Sequence, residues 1–169
     1  MSFQDSLKKL KASREFKKFK QKNKNSFLFS AFFVLNSRFE CETKQFDFYL
    51  TKKKAATFVV NDKIEFKTDE FHPKGKITVL NEKINIDIEK LKEITKKEIE
   101  KRNLTEFDIN KIIIVLQKIN EQQLWNVTCL MSSLKLLRMH IDCFDGRVLE
   151  TKEESIVDFL SFQKRNEKS

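Results

Sequence analysis

Apolar residues recur with two different periods along this chain, and the switches between them predict its elements. Near the N-terminus the spacing is helical. Phe3, Leu7 and Leu10 fall on one helical face, while Ala12, Phe16 and Phe19 fall on another. Ser13 lies between the two sets and has the side chain of an N-cap. This predicts either a helix broken at Ser13 or one helix that touches two surfaces. From Phe27 the period shortens to two. Phe27 to Leu35, interrupted only by Ser30, has the length of a buried strand. The polar turn Asn36-Ser37-Arg38 follows, and Gln45 to Leu50 is largely alternating. Lys52-Lys53-Lys54 reads as a turn. Ala56 to Val60 and Lys63 to Lys67 read as strands joined tightly through Asn61-Asp62.

Residues 68–75 hold the single Pro and one of the two Gly, which marks the connection between two blocks. A short strand is predicted over Lys76 to Leu80. Asp87 is placed as the N-cap of a helix over 88–102, with Ile88, Leu91, Ile94 and Ile99 in one stripe. Further strands are predicted over Lys111 to Leu116, Gln123 to Leu130 and Leu134 to Ile141. Asp145-Gly146 then turns the chain into Arg147 to Glu150. Thr151-Lys152-Glu153-Glu154 has capping-box form, with Ile156, Phe159 and Leu160 giving a closing helix its apolar face.

A helix followed by an antiparallel meander is thus read twice. The fold class expected is α+β: two helix-plus-antiparallel-meander halves packed as one globule, with a C-terminal helix. The halves are 1–70 and 88–169, joined by a connection over 71–87, and strand residues should slightly outnumber helical ones. One helix on a few strands has too little core to stand alone, and two such units can cover each other's open edges. Leu137-Arg138-Met139-His140-Ile141-Asp142-Cys143-Phe144-Asp145-Gly146-Arg147-Val148-Leu149 resembles the closing hairpin of PepSY-like domains. The helix-then-strands order is similar to that family and, more loosely, to cystatin-like folds. The resemblance implies a non-catalytic module that regulates or binds another protein, and it brings no active-site residues.

Composition narrows the classes. With 17 Phe the chain can bury a core, which excludes disorder. With only Gly75 and Gly146 it has no Gly-rich phosphate loop. No run approaches the roughly 20 apolar residues of a membrane helix, so no membrane insertion is expected. The N-terminus lacks the apolar stretch of a secretory signal. Cys41, Cys129 and Cys143 are odd in number and lack paired spacing, which fits a reducing, cytoplasmic setting. The charge is uneven. Residues 1–24 hold nine basic residues against Asp5 and Glu15, a local +7 out of +9 for the whole chain.

That basic segment is the one candidate binding feature. Lys8, Lys9, Lys11, Arg14, Lys17, Lys18 and Lys20 are the candidate nucleic-acid contacts, since helix-borne cations neutralise phosphates and the binding weakens with salt. The competing reading is an ordinary solvated helix face. Cys129, His140 and Cys143 lack the fourth ligand of a closed zinc site and read as packing residues. A Cys-His nucleophile would need an orienting group that no local pattern supplies. His72 reads as a solvated loop residue. Glu89, Glu93 and Glu98, interleaved with Lys92, Lys96 and Lys97, read as a solvated helix face. Trp125 reads as core. No catalytic residue, cofactor or metal is expected. Three functions are compatible. The first is a non-enzymatic protein-interaction or regulatory module using exposed sheet edges or a groove between the halves. The second is nucleic-acid binding through the basic helix. The third is small-molecule binding in a cystatin-like pocket lined by Phe33, Phe48 and Trp125. The partner expected is a protein, with nucleic acid as the alternative, and the chain is expected as a monomer or homodimer.

Overall fold

The computed structural model describes residues 2–51 and 53–167, with the side chains of residues 159, 162, 166 and 167 outside the described set. The readings of Lys52 as a turn residue and of Phe159 as an apolar contact therefore lie outside the described residues. Helix α1 spans Phe3–Ala12 and opens with a capping box between Ser2 and Asp5. At Ser13 the backbone is extended, which ends α1. The Ser13 hydroxyl accepts the Phe16 N–H at 3.2 Å and starts α2, Arg14–Lys22. Of the two outcomes expected at Ser13, the helix breaks. Helix α3 is Ile88–Glu100, capped by Asp87 as expected, and α4 is Ile156–Glu167.

The strands are β1 (Phe27–Asn36), β2 (Cys41–Leu50), β3 (Lys54–Val60), β4 (Ile64–Glu70), β5 (Ile109–Ile119), β6 (Gln122–Met131), β7 (Lys135–Asp142) and β8 (Val148–Ser155). They overturn the expected fold class. All eight form one antiparallel sheet in the order β4-β3-β2-β1-β5-β6-β7-β8. The fold is dominated by this sheet, with short helices, and is not a balanced α+β pair of helix-plus-meander halves. The physical reason lies at the middle of the sheet. β1 and β5 pair from Ala31↔Leu116 to Asn36↔Lys111. Both carry apolar side chains on both faces there, with Phe33 and Ile114 on one face and Phe32, Val34, Ile113 and Val115 on the other. Such strands gain most from a neighbour on each edge. Hydrophobic period identifies a residue's face but not the strand beside it.

Two smaller expectations also fail. Residues 76–80 are not a strand. The Leu80 N–H donates to the Leu28 carbonyl at 2.9 Å, and its side chain is buried within an irregular connection. Thr151 to Glu154 do not cap a helix. They continue β8, with Thr151↔Met139 and Glu153↔Leu137 in the ladder, and α4 begins after them. A run of ladder hydrogen bonds outweighs one cap, worth about 1 kcal/mol.

The core lies between the helices and one sheet face. The Phe3 ring sits 5.8 Å from Phe46 and 6.1 Å from Trp125, centroid to centroid. Phe16 and Phe19 pack on Phe48 and Phe58. Ile88, Leu91 and Ile99 bring α3 into the same cluster, and the Trp125 indole N–H donates to the Ile86 carbonyl at 2.7 Å. Phe33, Phe48 and Trp125, the residues expected to line a pocket, are all buried inside this aromatic layer. Trp125 is core, as read from sequence.

Candidate functional site

The two N-terminal helices are built into the fold and are not a loose arm. Phe3, Leu7, Leu10, Phe16 and Phe19 enter the core, which turns the basic residues outward, while Ala12, grouped with Phe16 and Phe19 by its spacing, is exposed. On α2 the spacing is regular. Arg14, Lys17, Lys18, Gln21 and Lys22 recur at i, i+3, i+4, i+7 and i+8, all exposed and opposite Phe16 and Phe19. Lys8 extends the exposed cations onto α1, and Lys24 follows the end of α2.

The other predicted contacts are occupied. Lys9 Nζ donates to the Asn61 carbonyl at 2.6 Å, and Lys11 pairs with Glu82. Lys20 Nζ donates to the Ser26 carbonyl at 2.7 Å and its hydroxyl at 3.1 Å, stapling α2 to the start of the sheet. The available set is therefore Lys8, Arg14, Lys17, Lys18, Lys22 and Lys24, none of which makes an ion pair among the described residues. The nearby carboxylate of Asp5 is engaged mainly by Ser2, with Lys8 adding a smaller attraction, and Glu15 is the one acidic residue on α2 itself. Hydrogen bonds from the Ser2 hydroxyl and N–H hold Asp5 below the usual carboxylate range. Lys22 and Lys24 were not among the predicted contacts. The four-residue step Arg14, Lys18, Lys22 was the signal for the first.

Helix α3 is equally lysine-rich and behaves differently. Lys90 pairs with Glu93 and Lys92 with Glu89, both at 2.8 Å, and Lys96 reaches Glu106 at 2.8 Å. Glu98 is buried, not solvated as expected, and takes Lys101 at 2.5 Å and Arg102 at 3.2 Å. On α3, Lys90, Lys92 and Lys96 are thus paired and Lys97 is not, while on α2 none of Arg14, Lys17, Lys18 and Lys22 makes an ion pair among the described residues and Glu15 is the one carboxylate.

The cysteine and histidine candidates are not brought together. Cys129 lies on the buried face of β6, paired with Leu137, whereas His140 lies on the opposite face of β7 beside Asn126. The Cys143 thiol donates to the Gln123 carbonyl at 3.3 Å. Burial pushes the Cys129 thiol up to about 12 and that of Cys143 up to about 11, so both stay protonated at neutral pH and neither is a ready nucleophile. His140 Nδ1 is 3.2 Å from Glu150, and His72 is exposed in the connection, 3.8 Å from Glu70. Among the described residues no helix is long and apolar enough to cross a membrane.

No protein-family model and no curated protein sequence matches the chain. One solved structure is similar in fold. A candidate lipoprotein from Clostridium difficile 630 superposes with a TM-score of 0.51 at 14% identity, covering 83% of this chain and 90% of that one. At that identity the likeness concerns the fold alone. The PepSY-like resemblance remains a reading of residues 137–149.

Proposed function

We propose that this chain is a non-enzymatic binding protein that engages nucleic acid through the outward face of α1 and α2. The observation that carries the reading is the stripe Arg14, Lys17, Lys18 and Lys22 on a packed helix, none of it in an ion pair among the described residues, whereas three of the four lysines of α3 are paired. A stripe of this kind, at about 1.5 Å rise per residue, spans about 12 Å. That length of duplex axis carries roughly seven phosphates. Of the surfaces first considered for a protein partner, the groove between the halves and the β4 edge are less available. The groove between halves is replaced by the β1–β5 pairing. The β4 edge presents Glu65, Lys67, Asp69 and Glu70, charges that discourage strand addition. A reducing, cytoplasmic setting belongs to the same reading, since all three thiols are free.

The test is fluorescence anisotropy of labelled single- and double-stranded RNA and DNA with the purified protein at low and near-physiological salt. The comparison variant carries Arg14→Glu, Lys17→Glu, Lys18→Glu and Lys22→Glu. All four positions are exposed, so an unchanged circular dichroism spectrum is expected. Binding by the parent chain and its loss in the variant supports the reading. Equal binding by both, or none by either, overturns it. Deleting residues 1–24 would not serve, because Phe3, Leu7, Leu10, Phe16 and Phe19 are core.

A further inference from the structure

On the sheet face turned away from the helices, part of the 71–87 connection folds back over the strands. It borders a half-open cavity of about 460 Å³. The floor is Ser30 of β1, Asp47 of β2 and Thr57 of β3, three residues level with one another in the ladder. Phe29, Phe71 and Ile77 supply an apolar wall. The Phe29 and Phe71 rings stand 5.1 Å apart, and Tyr49 backs both at 6.3 and 6.4 Å. The Phe71 N–H donates to the Lys53 carbonyl at 2.8 Å, which anchors the start of the covering segment to the sheet.

The charges around this cavity do not balance at its floor. Asp69 has Lys67 at 3.2 Å, Glu70 has His72 at 3.8 Å, and Lys76 has Glu121 at 3.6 Å. Asp47 forms no ion pair among the described residues. Its Oδ1 accepts hydrogen bonds from Gln45 Nε2 at 2.9 Å and Thr57 Oγ1 at 2.8 Å, which orient the carboxylate without neutralising it. Burial raises its pKa even against those bonds and the field of Lys67. A half-buried carboxylate without a counter-ion is costly to hold, and a bound cation offsets that cost. The aromatic wall adds to the attraction, because ring faces draw cations that come within about 6 Å. The volume suits a small molecule, since ligand pockets run from about 300 Å³ upward. Lys118 of β5, the one lining lysine without an ion pair among the described residues, repels a second positive head, so the fitting occupant has one.

We propose that this cavity binds a small organic monocation, its ammonium group on the Asp47 carboxylate and its carbon skeleton against Phe29 and Phe71. The site lies across the sheet from α1 and α2, and the inference is independent of the nucleic-acid reading.

The experiment is a ¹⁵N-edited NMR titration of the full chain with phenethylammonium chloride, with neutral 2-phenylethanol as the matched control. Saturable shifts are expected at the amides of Ser30, Asp47, Thr57 and Phe71. The alcohol should leave them still. Asp47→Asn keeps the shape and the acceptor oxygen, so it should fold and should bind at least about tenfold more weakly, the loss of one charge-assisted bond. Phe71→Leu, which keeps the wall apolar without its ring, should weaken binding several-fold. Unchanged affinity in Asp47→Asn, equal binding of the alcohol, or no shifts at millimolar amine would each overturn the proposal.

Discussion

At the residue scale, two polar groups, one buried and one half-buried, carry opposite consequences for stability. The Trp125 indole N–H satisfies the Ile86 carbonyl inside the core. Trp125→Phe keeps an aromatic ring but leaves that carbonyl unpaired and some volume empty. A loss of about 2–4 kcal/mol is expected in denaturant unfolding, combining an unsatisfied acceptor with a cavity. Asp47 works the other way. Its folded pKa is raised by burial, so folding favours its protonated form. Its stabilising contribution is therefore full below the ordinary aspartate value of about 3.9 and is lost as pH rises to the raised folded value. Asp47→Asn should melt at a higher temperature than the parent at pH 7, and the difference should shrink as pH falls through the folded value. A variant less stable at pH 7 would contradict the desolvation account. The alternation of Phe46, Asp47 and Phe48 already turns Asp47 away from the core. It holds no sign that residues 71–78 fold over that position, because nothing in a local pattern says which distant loop covers a strand.

At the element scale, the caps were legible and the ends of the strands were not. Ser13 and Asp87 act where their side chains said they would. Thr151 had the same chemistry but lies in β8, because backbone pairing with β7 is a non-local interaction that a four-residue motif cannot report. The N-terminal helices are as much core as the strands. Phe3→Ala removes a fully buried ring in contact with Phe33, Phe46 and Trp125, and should cost about 3–5 kcal/mol in chemical denaturation. A cost near zero would mean that α1 is detachable after all. The β5–β6 turn holds a further test. Asn120 and Glu121 both have positive φ, at 49° and 66°. Asn tolerates that region and Glu does not. Glu121→Gly should stabilise by about 1 kcal/mol, since the exposed ion pair it gives up with Lys76 is worth little.

At the scale of the whole molecule, the sheet divides two chemistries. Its helical side carries cations that make no ion pair among the described residues, and its other side carries a half-open cavity with an unpaired carboxylate. The basic segment was visible in the sequence as a charge count. Which of its lysines remain available was not, because the partners of Lys9, Lys11 and Lys20 lie on other elements or beyond the helix. The joining of the strands into one sheet was missed for a related reason. Phe32, Val34, Ile113 and Val115 make β1 and β5 apolar on both faces, which marks central strands, but the marks do not name each other as partners. The most direct test of the central claim is the slope of log K against log salt for duplex binding, parent against the four-site α2 variant. Up to six available cations predict a slope no steeper than about −5. Reversing the four α2 cations should make it shallower, by about one unit for each phosphate that a cation no longer meets. A parent slope near zero, or a slope unchanged by the four substitutions, would contradict the account and return the α1–α2 face to ordinary solvated surface.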